Sequence, residues 1–89
     1  MVNILIQYGT DKGNQKVARQ LFLLLSGCVS PETNRIELNH RAMNILDICA
    51  YADMEMKDIR RAISILMNDN IIMRVVGKGK DFFYRNPLS

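Results

Sequence analysis

The sequence contains little of what builds a metal site, a disulfide framework or a membrane anchor. Its 89 residues include two cysteines, Cys28 and Cys49, and one histidine, His40, with no CxxC or Cys/His spacing typical of zinc sites. No apolar run approaches the roughly 18–20 residues that span a bilayer, and the first residues lack the cationic region of a secretory signal. We therefore expect reduced cysteines, no metal or cofactor, no membrane contact and a cytoplasmic location.

Recognisable catalytic patterns are missing as well. The segment Gly77–Lys80 is rich in glycine and lysine, but it lacks the GxxxxGK spacing of a nucleotide-binding loop and joins two predicted strands. His40 has no evident nucleophile as a partner, and no pair of acids marks a general acid–base site. We predict that the protein is not an enzyme and takes no small-molecule substrate.

The charges of this single predicted domain are unevenly distributed along the chain. Residues 1–56 carry five cations and six acids, a net charge of −1, whereas residues 57–89 carry seven cations and three acids, a net charge of +4. A positively charged C-terminal part suits a polyanionic partner. The same lysines and arginines could also serve only to solvate the surface.

The first 26 residues predict a strand, a turn and a helix. The segment Val2–Tyr8 is rich in β-branched and aromatic residues that alternate along one face, which is typical of a strand, and Gly9–Gly13 follows as a turn. Helical spacing then predicts a largely buried helix over Asn14–Ser26, ended by Gly27. The apolar residues that form its stripe are Val17, Ala18, Leu21, Phe22, Leu24 and Leu25.

A strand and a helix are predicted next. A short strand covers Ile36–Leu38, and Asn39 is placed to cap a helix over His40–Tyr51. The apolar contacts of this helix are expected from Met43, Leu46 and Ile48.

A second helix and a hairpin complete the predicted chain. After a tight turn at Ala52–Met54, the helix Glu55–Asn68 has Ile59, Ala62, Ile63 and Leu66 at positions i, i+3, i+4 and i+7, which predicts one buried face. A β-hairpin follows, with strands Ile71–Val76 and Asp81–Arg85 and a basic tip at Gly77–Lys80. Alternation along the second strand places at least one of Phe82, Phe83 and Tyr84 in the core, and we favour packing of these rings over stacking on bases.

This order of elements resembles that of winged helix-turn-helix proteins. In their turn region a small residue packs between two helices, a glycine makes the turn, and Ser or Thr caps the recognition helix. In Asp47–Glu55, Cys49 stands at the small position, Asp53 at the glycine position and Glu55 at the cap position. Asp tolerates the left-handed conformation that such a turn requires.

The C-terminal segment Asp81–Pro87, an aromatic strand that ends in Asn-Pro, is similar to the end of the winged-helix domain in the plasmid replication protein L family. The similarity covers about residues 36–87. It implies a single α+β winged-helix domain over residues 1–89, with an extra N-terminal strand and turn in 1–13 and the winged-helix core in 14–85. It also implies three helices, a small antiparallel sheet with a hairpin wing, and a plasmid or phage origin.

The resemblance implies that the helix Glu55–Asn68 enters the major groove of double-stranded DNA while the hairpin tip follows the backbone. Arg60 and Arg61 would read guanine edges, and lysine point charges would contact phosphates. The first turn of the preceding helix would hold phosphates through its amides. The predicted DNA-binding residues are Asn39, His40, Arg41, Met56, Lys57, Arg60, Arg61, Ser64, Lys78 and Lys80.

Two questions about function remain open from the sequence. The same helix and wing could act in replication initiation or control, or in transcriptional regulation. Alternatively, the domain could be a protein–protein adaptor that does not bind DNA, which the acids Asp53, Glu55 and Asp58 near the recognition helix would favour.

We predict a homodimer in which Val2–Tyr8 and the first helix contribute to the interface, because an unpaired apolar strand edge invites strand addition. Light scattering at micromolar concentration should give about twice the 10.2 kDa mass of the chain. A clean monomer would contradict the prediction.

Overall fold

The computed structural model describes residues 2–77 and 81–87, with side chains described from residue 13 onward. It is a small α+β structure in which these residues form three helices and two small antiparallel sheets. The elements are, in chain order, α1 (Val2–Ser26), β1 (Glu37–Leu38), β2 (Arg41–Ala42), α2 (Ile45–Ala52), α3 (Met56–Asn68), β3 (Ile72–Val76) and β4 (Asp81–Arg85).

The N-terminal strand predicted over Val2–Tyr8 is wrong, and so is the turn at Gly9–Gly13. Both segments belong to α1, which runs from Val2 to Ser26, so its C-terminal end directly before Gly27 is as predicted. The described sheets pair β1 with β2 and β3 with β4 and offer no partner strand to residues 2–8. A helix satisfies its backbone N–H and C=O groups within itself, whereas a lone strand cannot.

Helix α3 packs against α1 through the face that the sequence predicts. Ile59, Ala62, Ile63 and Leu66 are all buried, which confirms the spacing argument. From α1 the buried residues are Ala18, Leu21 and Leu25. The alanines Ala18 and Ala62 are small, which suits close approach of two helices.

The prediction that α1 is largely buried along its whole apolar stripe is wrong at Leu24, which is 42% exposed. At 100° per residue, Leu24 lies about 90° around the helix from the centre of the face formed by Ala18, Leu21 and Leu25. The neighbouring Leu23 is 72% exposed. The outer side of α1 therefore presents two adjacent leucines to solvent.

The residues before α2 form a hairpin instead of the predicted first turn of a helix. Asn39 and His40 have φ values of 54° and 64° and connect β1 to β2, whose register pairs Leu38 with Arg41. Positive φ at both central residues is what a type I′ hairpin turn requires. Asn39 is therefore not a helix cap, and the predicted helix His40–Tyr51 begins five residues later, at Ile45.

Asn44 is the residue that caps α2. Its Oδ1 atom accepts a hydrogen bond from the Asp47 backbone N–H at 2.9 Å, and Asp47 Oδ2 accepts one from the Asn44 N–H at 3.0 Å. This reciprocal pair is a capping box, which satisfies two backbone donors at the helix start.

The turn between α2 and α3 agrees with the prediction. Asp53 has φ 53° and ψ 50°, the left-handed conformation, and Cys49 packs half-buried against the core. Glu55 stands at the cap position of α3 but makes no side-chain capping hydrogen bond. The two helices are therefore joined through a residue in the left-handed conformation, which Asp53 adopts at the position predicted for a glycine.

The hairpin β3–β4 has the predicted position, with β3 beginning one residue later than expected. On its other side, β4 contacts the segment 34–36 through an isolated antiparallel bridge between Arg35 and Tyr84. Ile36 N–H donates to the Phe83 carbonyl at 2.8 Å. Ile36, Ile72 and Phe83 are buried, so one face of this sheet closes the core beneath the helices.

We predict that Ile48 and Leu46, both in α2, respond differently to truncation. Ile48 is 0% exposed, whereas Leu46, expected from the sequence to contact the core, is 64% exposed. Ile48→Ala should lower the free energy of unfolding by about 2–5 kcal/mol, and the control Leu46→Ala by less than about 0.5 kcal/mol. Urea denaturation followed by circular dichroism measures both. Equal losses would contradict the burial of Ile48 and the exposure of Leu46.

Candidate nucleic-acid interface

The outer side of α3 is polar and basic. Lys57, Arg60, Arg61 and Ser64 are all exposed, as predicted, and at 100° per residue they occupy an arc of about 100° opposite the buried face. Met56, the first residue of the helix, is half-buried at its edge. Four of the predicted site residues therefore share one accessible surface.

Acidic neighbours modify this surface at its N-terminal end. Lys57 Nζ lies 3.7 Å from Glu55 Oε2, and both side chains are largely exposed. An exposed pair of this kind contributes little to stability and is readily exchanged for another partner. The other ion pairs among the described residues are Arg35–Glu37 and Arg74–Asp81, so Arg60 and Arg61 take part in none of those pairs.

Arg60 and Arg61 have different surroundings. Arg61 borders a small concavity of about 200 Å³ between α1 and α3, whose lining includes Asn14 and Val17 of α1 and the carboxylate residue Asp58. Arg60 does not line that concavity. Asp58 precedes Arg61 by three residues, a spacing at which side chains on a helix are neighbours, whereas no acid stands three or four residues from Arg60.

The structure does not place Asn39, His40 and Arg41 at a helix N-terminus, so the predicted contact of phosphates with the helix amides has no basis there. All three are exposed on the β1–β2 hairpin. At the start of α2 observed in the structure, the Asp47 carboxylate accepts a hydrogen bond from the backbone N–H of Asn44. A carboxylate at that position repels a phosphate.

Arg41 instead lines an open groove of about 810 Å³ between the β1–β2 hairpin and α2. Asn39 from the hairpin, Tyr51 from α2, and Arg35 and Phe82 from the sheet also line it. A hydrogen bond with Cys28 raises the pKa of Tyr51 above its ordinary value.

Of the β3–β4 hairpin, the described residues include the strands and Gly77. Lys78 and Lys80, the predicted phosphate-binding residues of the tip, lie outside the described residues. Below the tip, Arg74 Nη1 lies 3.7 Å from Asp81 Oδ2 across the two strands. This pair offsets one of the cations of the hairpin.

Within residues 2–77 and 81–87, no cluster of three or more His, Cys, Asp or Glu residues could hold a metal ion. Cys28 and Cys49 are both free. No helix among the described residues has the length and apolar character needed to cross a membrane.

Sequence reasoning missed two features of this region. The capping box could have been found, because Asn44 and Asp47 have the three-residue spacing of that motif just before an apolar run. The groove depends on how the β1–β2 hairpin and α2 approach each other, and no local pattern encodes that approach.

Comparisons of the chain with protein-family models, with curated proteins and with solved structures find no match.

Proposed function

We propose that the chain is a winged helix-turn-helix protein that binds double-stranded DNA, with α3 as the recognition helix and the β3–β4 hairpin as the wing. The observation that carries the proposal is the exposed basic arc of α3, formed by Lys57, Arg60, Arg61 and Ser64. Arginine and lysine on a protruding helix suit the donor and acceptor pattern of the major groove and the phosphates on either side of it.

The arrangement of strands supports the winged-helix assignment. The segment 34–36, β4 and β3 lie side by side in that order, and α2 and α3 are joined by the left-handed turn at Asp53. Because β3 follows α3 directly and packs on the same core, the hairpin projects from the domain that presents α3. A helix and a hairpin presented together could contact one duplex.

Within this proposal, Arg60 is the main base-reading residue and Arg61 a weaker contributor, since Arg61 has Asp58 beside it. Lys57, Lys78 and Lys80 bind phosphates. The similarity to the plasmid replication protein L family favours a role in replication initiation or control, with transcriptional regulation as the other use of the same surface.

We also propose a homodimer. Its interface was predicted to include a strand over Val2–Tyr8, and that segment is part of α1 instead. The exposed pair Leu23 and Leu24 on the outer side of α1 supports a dimer interface there. A two-fold dimer would present two recognition helices to a palindromic site.

We expect the two classes of cation to respond differently to substitution. Arg60→Ala should weaken binding to the selected site by about 1–3 kcal/mol and relax the preference at one base position. Lys78→Ala or Lys80→Ala should weaken binding to specific and random duplexes alike and reduce the slope of log affinity against log salt by about one. Site selection from a random duplex pool, followed by salt titration of each variant, measures both effects.

Arg74→Ala is the matched control, since Arg74 is already paired with Asp81; it should change the salt slope less than either lysine variant. If no duplex is enriched, or if the Arg60 and lysine variants bind like the wild type, the DNA-binding proposal fails.

The alternative function is a protein–protein adaptor, which the Glu55–Lys57 pair at the start of α3 favours. The variant Glu55→Gln separates the two. On a DNA-binding surface, removing a carboxylate beside Lys57 should raise duplex affinity, because it removes repulsion from phosphate. On an adaptor surface the loss of Glu55 should leave DNA binding absent. Fluorescence anisotropy with a labelled duplex measures the change. The matched control is Glu32→Gln, which removes an exposed carboxylate from the turn between α1 and β1 and should change duplex affinity less.

A further inference from the structure

Two opposite charges line the groove between the β1–β2 hairpin and α2 without pairing with each other. Arg41 lies on β2 and Asp47 in the first turn of α2, and both side chains are exposed. Neither residue takes part in any ion pair of the described residues. The other charged residue of the lining, Arg35, is neutralised by Glu37. The groove therefore presents one unneutralised cation and one unneutralised carboxylate.

The position of the Asp47 carboxylate is fixed by the start of α2. Its Oδ2 atom accepts a hydrogen bond from the Asn44 backbone N–H at 3.0 Å, and the Asp47 N–H donates in return to Asn44 Oδ1 at 2.9 Å. Because the amide is neutral, the carboxylate keeps its negative charge. Its other oxygen, Oδ1, accepts no hydrogen bond from the described residues. A group that is already held in place loses little freedom when a ligand binds to it.

The rest of the lining includes apolar and aromatic side chains. Leu38 at the end of β1 and Tyr51 of α2 are both exposed, and Phe82 of β4 lines the groove beside them. The groove has a volume of about 810 Å³, within the range of roughly 300–1,000 Å³ that small-molecule sites occupy. Such sites combine apolar walls with a few polar groups that fix the orientation of the ligand.

We propose that this groove binds a small zwitterion with an apolar side chain, either an amino acid or a dipeptide. The Arg41 guanidinium donates to the carboxylate of the ligand, and Asp47 Oδ1 accepts from its ammonium group. The apolar side chain rests against Leu38 and Tyr51. A ligand with a single charge pairs with one of the two groups and is repelled by the other, so the balanced charge of the groove favours a zwitterion. The ligand is bound and not transformed.

This site is separate from the proposed duplex surface on α3. At 100° per residue, Asp47, Ala50 and Tyr51 lie on one side of α2 and line the groove. Cys49 and Ala52 lie on the opposite side of α2 and pack against the core. Helix α2 therefore stands between the groove and the core to which α3 belongs, and binding of a zwitterion and binding of a duplex can fail independently.

The test follows the binding of L-phenylalanine and of the dipeptide phenylalanylleucine by NMR chemical-shift titration of the isotope-labelled protein at low salt. Both zwitterions should shift the backbone amide signals of Arg41, Asp47 and Tyr51. N-acetylphenylalanine lacks the ammonium group and phenylalaninamide lacks the carboxylate. Each should bind roughly ten-fold more weakly than phenylalanine, because it leaves one charge of the groove without a partner. The tighter of the two zwitterions shows whether the ligand is an amino acid or a peptide.

Two substitutions remove the charges of the groove one at a time. Arg41→Gln should weaken phenylalanine binding roughly ten-fold and abolish the preference for phenylalanine over phenylalaninamide. Asp47→Asn keeps an oxygen that can accept from the Asn44 N–H, so the helix cap is preserved, and it should abolish the preference over N-acetylphenylalanine. The matched control Arg19→Gln removes an exposed arginine of α1 and should bind phenylalanine like the wild type.

Thermal melting of each variant shows whether the fold is kept, and Arg41→Gln supplies the decisive result if Asp47→Asn unfolds. The proposal is overturned if neither zwitterion shifts the groove amides at millimolar concentration, or if the singly charged analogues bind as tightly as phenylalanine. It is also overturned if Arg41→Gln keeps the wild-type preference for phenylalanine over phenylalaninamide, because the cation would then not contact the ligand.

Discussion

Helix α3 has to be buried on one side and exposed on the other, and the rest of the domain is arranged to satisfy that requirement. Its buried face is covered by α1, by α2 and by the inner face of the hairpin, which contributes Phe83 and Ile72. Because Ala62 stands where α3 meets α1, the two helices can approach closely. Once that face is fixed, the 3.6-residue repeat determines that Arg60 and Ser64 point to solvent. The basic arc is therefore a geometric consequence of the core.

Elements with a strong repeat, or with a residue suited to one backbone conformation, could be predicted from the sequence. The face of α3 followed from four apolar residues at helical spacing, and the turn before it followed from the tolerance of Asp53 for the left-handed conformation. The hairpin strands followed from their β-branched and aromatic content and the glycines between them. In each case local preference and tertiary packing favour the same structure.

The errors occurred where local patterns were compatible with two structures. Val2–Tyr8 alternates like a strand, but whether such a segment forms one depends on a neighbouring strand, and residues 2–8 have none in the described sheets. Asn39 could cap a helix or enter a left-handed turn, and the pairing of β1 with β2 decides for the turn. The predicted phosphate site at Asn39–Arg41 was lost with it. The basic arc of α3 did not depend on the start of α2, so it was unaffected.

The charged groups of the domain differ in whether a group of opposite charge neutralises them. Glu37 is paired with Arg35 and Arg74 with Asp81, so these pairs contribute little net field. Asp47 accepts a hydrogen bond from a neutral amide and keeps its negative charge, and it lines the same groove as Arg41. Arg60 takes part in none of the ion pairs of the described residues and lies on the outer side of α3. Since the β3–β4 hairpin is anchored through Phe83 to the same core as α3, the helix and the hairpin hold fixed positions relative to each other, as binding of one duplex by both would require.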